Sequence, residues 1–463
     1  MNIANADIER IVRAVVQSMD QSHQPALTPA RAASAAPLPM GVFASLDDAV
    51  AEADKAYRQM RSVAMRSLAV AAIRQAGEKH AQELAELAVA ETGMGRVADK
   101  FTKNVAQARH TPGVECLVPT VLSGDHGLTL MENAAWGVIA SVTPSTNPAA
   151  TVINNAISMI AAGNTVVFAP HPAAKGVSQR AVTLINEAVV AAIATAQQLF
   201  SYPGINLLTV TGGEAVVEEA RKHTDKRLIA AGAGNPPVVV DETANIEKAG
   251  RDIVWGASFD NNIICADEKE VIVVDSVADR LKQEMAKHKA VELSQDQAKQ
   301  LVDLVLGKIG LDNKGTVKRE WVGRDAAKIA AAIGLNVPSD TKLLFVETAA
   351  NHPFAVTELM MPILPIIRVA NVDDAIAMAV KLEGGCKHTA AMHSRNLDNL
   401  DRMANEINTS IFVKNGPCLA GLGFGGEGWT SMTITTPTGE GVTSARTFVR
   451  LRRCVLVDNF RIV

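Results

Sequence analysis

AAGNTVVFAP, residues 161–170, stops an apolar helical run on Gly163 and restarts the chain as TVVFA, a burst of β-branched and aromatic residues. A short apolar run of this kind after a glycine reads as a strand buried on both faces. A helical pattern follows from Lys175 into the 190s, and INLLTV (205–210) reads as the next strand, ending on Thr211-Gly212-Gly213. Strand, helix and strand in that order predict parallel pairing with a crossover helix. Upstream, LTLMENAAWGVIASVTP from Leu128 reads as strands running into a turn, and residues 45–92 are helical in composition. Downstream the alternation resumes with VVV (238–240), a helix from Ile246, EVIVV (270–274), a helix from Ala278, and strands LLFVE (343–347) and PILPIIRV (362–369). The expected fold class is α/β, with two α/β units in tandem and no internal repeat.

The 463 residues suffice for two sizeable cores, and 48% apolar with 20% charged residues is a globular balance. Aromatics are scarce at 4%, while small residues that let helices lie close on a sheet abound. A net charge of −4 leaves no electrostatic footprint for nucleic acid or an anionic membrane. No apolar run reaches the roughly 20 residues that span a bilayer, and the first residues carry no secretory pattern. The five cysteines, 116, 265, 386, 418 and 454, lack metal-like spacing and read as free thiols, so no metal is expected.

At the N-terminus, ADIERIVRAVVQSMD (6–20) places Ile8, Ile11, Val12, Val15, Val16 and Met19 on one helical face. An Ala-, Pro- and Ser-rich stretch to residue 40 reads as a flexible linker (21–40). A helix with an apolar stripe and no core of its own either docks back on its parent domain or engages a partner.

SFDNNIICADEKEVIVV, residues 258–274, places Cys265 in a connection between a helix and a strand, where reactive groups are displayed. Asn261 and Asn262 are nearby hydrogen-bonding groups. A thiolate is a strong nucleophile, yet a loop cysteine alone is more often structural than catalytic. The surrounding motifs decide. FDNNIICADEKEVIVVDS (259–276) resembles the catalytic stretch of coenzyme-A-acylating aldehyde dehydrogenases, in particular the propionaldehyde and acetaldehyde dehydrogenases of bacterial microcompartments. The resemblance extends, in order, through the N-terminal helix, VTPSTNP (142–148), VVFAPHP (166–172), GAGNPPVVVD (232–241), ELMMPILP (358–365), KHTAAMHS (387–394) and GLGFGGEG (421–428).

The resemblance implies an aldehyde dehydrogenase fold. A Rossmann-like NAD-binding domain would span 41–116 and 131–231, a catalytic domain 232–436, and an oligomerisation arm 117–130 with 437–463. Cys265 would be the nucleophile, and the other four cysteines structural. An oxyanion formed on the aldehyde needs preorganised donors. The Cys265 N–H is one, and the VTPSTNP turn offers the second through Asn147 or, at the family's usual place, Thr146. The dinucleotide would lie along Pro144, Ala169, Pro170 and His171, with its pyrophosphate at Thr211, Gly212, Gly213 and Val216, near Gly232. A helix N-terminus offers free N–H groups to phosphate. Hydrolytic relatives grip the adenosine ribose with a Lys and a Glu where this chain has Ala169 and Pro172, so NAD and NADP both stay open. Glu358 matches the glutamate that holds the nicotinamide ribose. His388 would deprotonate the coenzyme A thiol or merely cap a strand, and GLGFGGEG would line the substrate tunnel or simply turn the chain. TSARTFVRLRRCVLV (443–457) reads as an extended strand of the arm.

One absence carries mechanistic weight. Hydrolytic relatives carry a glutamate that activates water, and this chain has Ala230 there. Acyl transfer to coenzyme A as co-substrate is therefore expected over hydrolysis. The rivals are a hydrolytic enzyme, an acyl-phosphate reductase of the same superfamily, and a scaffold on an inactive fold. The expected partners are a small aldehyde, coenzyme A, shell or core proteins bound through residues 1–20, and a second copy in a homodimer or homotetramer. The expected location is the cytoplasm, inside a microcompartment.

Overall fold

Strand Thr165–Pro170 shows how the first sheet is built. Val166 and Phe168 join a buried cluster with Ile153 and Ile157 of helix Pro148–Ala161 and Val177 of helix Lys175–Asn186. Val167 and Ala169 face the other way, into a cluster with Ala49 and Ala53 of helix Leu46–Gln59 and Val217 of helix Glu214–His223. Alternate residues bury on opposite faces, which is why the strand reads as a continuous apolar run.

The computed structural model of the chain describes residues 38–59, 62–187, 192–193 and 204–458. The proposed helix at 6–20 and the linker up to residue 37 lie outside the described residues. The first sheet has five parallel strands in the order Ala192–Ile193, Thr165–Pro170, Val138–Thr143, Ile205–Thr211 and Arg227–Ala231. The chain starts at the central strand, builds outward on one side, then returns to fill the other. That reversal opens a crevice at the carboxyl ends of Val138–Thr143 and Ile205–Thr211.

The second sheet has seven parallel strands: Ala290–Glu292, Leu343–Glu347, Ile363–Val369, Glu270–Val274, Pro237–Val240, Thr389–His393 and Ile411–Lys414. Val271 and Val273 bury against Ile253 and Leu281 on one face, and Ile272 lies with Ile376, Ala379 and Met403 on the other. Residues 232–236 carry the chain from the carboxyl end of Arg227–Ala231 to the amino end of Pro237–Val240. The carboxyl edge of the first sheet and the amino edge of the second are thus joined by one short connection. A third, antiparallel sheet pairs Thr120–Gly124, Gly127–Ala135 and Val449–Val457, leaving Val121, Leu122, Leu451 and Val455 exposed.

Three details differ from the sequence reading. The helix from Lys175 stops at Asn186, and Ala192–Ile193 pairs as a strand with Val167 and Phe168. The helix expected from Ala278 begins at Asp275. Residues 443–457 are not one strand, because Ala445–Phe448 forms a 3-10 turn closed by a reciprocal Ser444–Thr447 cap.

Candidate active site

Cys265 lies between helix Ile246–Ser258 and strand Glu270–Val274, after a backbone that turns left-handed three times running. Asp260, Asn261 and Asn262 have φ of 46°, 59° and 65°. Such backbone costs about 1–2 kcal/mol per residue, least for Asp and Asn, so it persists only where side chains hold it. Here they do. Asn262 Nδ2 donates to the carbonyls of Ala257 and Glu268, both at 2.9 Å, and Asn261 Nδ2 donates to Gly323 O at 2.9 Å and Asp325 Oδ1 at 3.0 Å. Buried Lys269 donates to Asn262 O and Oδ1 and to Ile264 O at 2.9, 2.7 and 3.1 Å. Asn261 and Asn262 therefore build the loop, with their amide N–H groups spent on it. Ile263, Ile264 and Ala266 are buried, whereas Cys265 is half-buried.

Gly234 brings the next groups together. A Cβ there would stand 2.7 Å from Cys265 O and 2.9 Å from His388 Cγ, so only glycine admits this approach. The Gly234 N–H faces the Glu358 carboxylate, and the Asn235 N–H faces the Cys386 sulfur. Cys265, His388 and Glu358 thus meet around one residue of the inter-sheet connection.

Burial, aided by the Glu358 carboxylate and opposed by Lys269, pushes the Cys265 thiol up to about 12. Burial also raises Glu358, with Lys269 and the Gly234 N–H opposing. The resting thiol is therefore protonated, and its ionisation requires a change in the charges facing it. His388 is fully buried, and its Nδ1 is paired with Thr389 Oγ1 at 2.8 Å while Nε2 has no partner. Burial, then Lys269, brings its pKa down to about 4, so the ring is neutral at pH 7. Cys386, read from sequence as structural, borders this cluster, its thiol pushed up to about 11 by burial, Glu383 and Glu358.

Thr146 and Asn147 form the turn between strand Val138–Thr143 and helix Pro148–Ala161. Lys103 Nζ donates to Asn147 Oδ1 at 2.6 Å, and Lys100 Nζ donates to Thr146 O at 2.9 Å. Both lysines are buried on helix Val97–His110 and both reach Asp260, in the loop that precedes Cys265. The sequence reading missed them. They share a helical stripe with buried Asn104 and Gln107, a polar pattern that ordinarily marks a solvent face.

The dinucleotide candidates collect at the carboxyl edge of the five-stranded sheet. Pro144 follows the central strand, Ala169 is buried in the next, and Pro170 and His171 end it. His171 Nδ1 accepts from the Ala173 N–H at 3.1 Å, which leaves Nε2 as the outward atom. Gly213 caps helix Glu214–His223 without any side-chain cap, and a Cβ on it would meet nothing within 4 Å. A helix start with no side-chain cap and open space beside it suits a pyrophosphate. Val216 lies on that first turn, 3.7 Å from where a Gly212 Cβ would be, and a Cβ on Gly232 would press on Pro437 at 2.8 Å. The residues present fit a dinucleotide. Ala230 is buried in strand Arg227–Ala231, with its N–H on Thr438 Oγ1 at 3.0 Å, so its position carries no carboxylate. Among the described residues no cluster of His, Cys, Asp or Glu could hold a metal ion, and no helix is long and apolar enough to cross a membrane.

Two parallel-sheet units joined by residues 232–236, with a half-buried cysteine in a connection of the second and an uncapped helix start at the carboxyl edge of the first, are the architecture of a dinucleotide-linked dehydrogenase. The sequence profile of the Aldehyde dehydrogenase family matches residues 15–432, and the chain belongs to that family. It is 72% identical to the acetaldehyde dehydrogenase (acetylating) EutE of Salmonella typhimurium, covering 99% of each chain. Its fold superposes with a TM-score of 0.88 on a propionaldehyde dehydrogenase from the fucose utilisation bacterial microcompartment of Clostridium phytofermentans, 43% identical over 92% of this chain and 100% of that one. It superposes at 0.87 on a Rhodopseudomonas palustris propionaldehyde dehydrogenase with bound coenzyme A and an acylated cysteine, 44% identical over 90% of this chain and 98% of that one.

Proposed function

We propose that the chain oxidises a short aldehyde, acetaldehyde before propionaldehyde, to its acyl-coenzyme A with reduction of a nicotinamide cofactor. The observation that carries this reading is the half-buried Cys265 beside Glu358 and His388, with Ala230 where hydrolytic relatives keep their base. Cys265 Sγ, its proton released to solvent, adds to the aldehyde carbon, and the carbonyl oxygen becomes an anion met by the Cys265 N–H and Asn147 Nδ2. Thr146 Oγ1 accepts from one Asn147 Nδ2 hydrogen at 3.3 Å, which leaves the second N–H of that amide for the oxyanion. The bound nicotinamide supplies the hydride acceptor. Loss of hydride from the thiohemiacetal carbon leaves an acyl-cysteine. Glu358, Pro144, Ala169–His171, Thr211–Gly213, Val216 and Gly232 hold the dinucleotide. Attack by the coenzyme A thiol then expels Cys265, whose sulfur takes up the proton that the coenzyme A thiol loses, and forms the acyl thioester. His388 offers its unpartnered Nε2 to the incoming thiol, and a pKa of about 4 makes it an acceptor that guides the thiol rather than a store for its proton.

The assay is steady-state oxidation of C2 to C4 aldehydes with NAD and with NADP, coenzyme A present, the thioester identified by mass. The highest kcat/KM is expected for acetaldehyde. A clear optimum at C3 or C4 would overturn that preference, and the absence of acyl-coenzyme A would overturn the reaction.

The antiparallel sheet of Thr120–Gly124, Gly127–Ala135 and Val449–Val457, with its exposed apolar residues, is the surface for a second copy in a homodimer or homotetramer. Residues 1–20 direct the enzyme into a protein shell, because an apolar stripe beyond a linker needs a groove or another helix. A reporter carrying residues 1–20 should co-localise with co-expressed shell proteins, and the enzyme lacking them should keep its turnover. An inactive or unfolded truncation would show instead that the segment packs on its own domain.

A further inference from the structure

We infer that Lys103, anchored by Asp260, is a positioning residue that turns the Asn147 amide so that its N–H group faces the oxyanion. The inference rests on Asn147 being the oxyanion donor, as proposed above, and adds what orients it. Lys103 lies on helix Val97–His110 with 1% of its surface exposed, and its Nζ is 2.6 Å from Asn147 Oδ1. A lysine head group donates and never accepts. The Asn147 atom facing it must therefore be the carbonyl oxygen, which turns Nδ2 away from the helix. Without Lys103 the amide keeps only Thr146 Oγ1, a hydroxyl that can accept from Nδ2 or donate to Oδ1, and a flipped amide would present an oxygen to a developing anion.

The same contact acts electronically. A positive group on Oδ1 draws charge from the amide and makes its N–H groups better donors. Lys103 is held in turn by Asp260, and Lys100 bonds both Asp260 Oδ2, at 3.2 Å, and Thr146 O, at 2.9 Å. Asp260 itself is fixed by the Arg96 N–H at 2.7 Å and closes tightly on Gly95, where a Cβ would lie 2.0 Å from Oδ1. Two consecutive residues of the oxyanion turn are therefore tied, through two lysines, to one carboxylate in the loop that carries Cys265. A cavity of only about 10 Å³ adjoins the pair, lined by Lys100, Lys103, Asn104 and Asn147 among others, so the contact is made away from bulk solvent. The cluster sets the distance between nucleophile and donor and fixes which end of the amide is presented.

The test compares Lys103→Met with Lys103→Gln, which are similar in length but differ in whether they donate to Oδ1. Lys103→Met should lower the single-turnover rate of reduced-cofactor formation on the order of 10²–10³-fold, the usual loss for one oxyanion donor. Lys103→Gln should recover most of it. Alkylation of Cys265 by iodoacetamide, a displacement that forms no oxyanion, should change less than about twofold in both. Lys103→Met/Asn147→Ala should be no slower than Asn147→Ala alone, because one cannot misorient an amide that is absent. Equal activity of the Met and Gln variants, a multiplicative double mutant, or alkylation falling in step with turnover would each overturn the role. So would unchanged turnover in Lys103→Met while Asn147→Ala is impaired, which sinks Lys103 alone. A wild-type rate in Asn147→Ala would sink the donor assignment beneath it.

Discussion

Replacing Cys265 by serine is expected to lower aldehyde oxidation on the order of 10⁴-fold or more while leaving dinucleotide affinity within a few-fold of wild type. The loss follows from acidity. Burial and Glu358 already push the thiol up to about 12, and a hydroxyl in the same place starts from a far higher pKa. Any change in charge that makes the thiolate accessible therefore falls well short for serine. The loop should survive the change, because its left-handed turns are held by Asn261, Asn262 and Lys269 rather than by the sulfur. Binding should survive because Gly213 and His171 lie at the carboxyl edge of the five-stranded sheet, whereas Cys265 lies in the loop before strand Glu270–Val274 of the other. The measurements are turnover and a fluorescence titration with reduced cofactor. Near wild-type turnover in the serine variant would remove Cys265 as nucleophile. Lost binding would mean that the two sites are coupled through the Gly234 connection.

The sheets were the legible part of the sequence, and for a physical reason. Strands such as TVVFA and EVIVV are buried on both faces, so their burial is written as unbroken apolar runs. Ala192–Ile193 was misread because its neighbours are alanine-rich, a helical local preference, while its state is set by pairing with Val167 and Phe168. Cys265 is singled out as the candidate nucleophile by the resemblance of its surroundings, since a loop cysteine carries no periodic signal. Lys100, Lys103 and Asp260 were invisible for the opposite reason. Charged residues at helical spacing predict solvent, and here they face each other in the interior. Only a partner distant in sequence reverses that reading.

Without coenzyme A, the enzyme is expected to release one burst of reduced cofactor per site and then stall, with steady turnover at least about 100-fold below the rate with coenzyme A. Oxidation needs only Cys265, the oxyanion donors and the hydride acceptor, so the first turnover is complete in their presence. Deacylation by water needs a positioned base. Ala230 supplies none, and His388, at about 4, is too weak to take a proton from water. Two carboxylates face Cys265, Glu358 and Asp267; burial raises the pKa of both, and Asp267 Oδ2 accepts from the Ile264 N–H at 3.1 Å. Glu358 faces the Gly234 N–H at the inter-sheet connection, where the nicotinamide ribose is proposed to bind, and a carboxylate so engaged is not free to activate water. A thiol needs less help, being far more acidic than water and more nucleophilic once ionised. The measurement is reduced cofactor against time, with acyl-coenzyme A and free acid quantified. Sustained turnover yielding mainly free acid would mean that a base does reach the acyl-cysteine. Glu358→Gln would then identify it, by lowering the ratio of free acid to acyl-coenzyme A formed from the acyl-enzyme, whatever it does to the rate of oxidation.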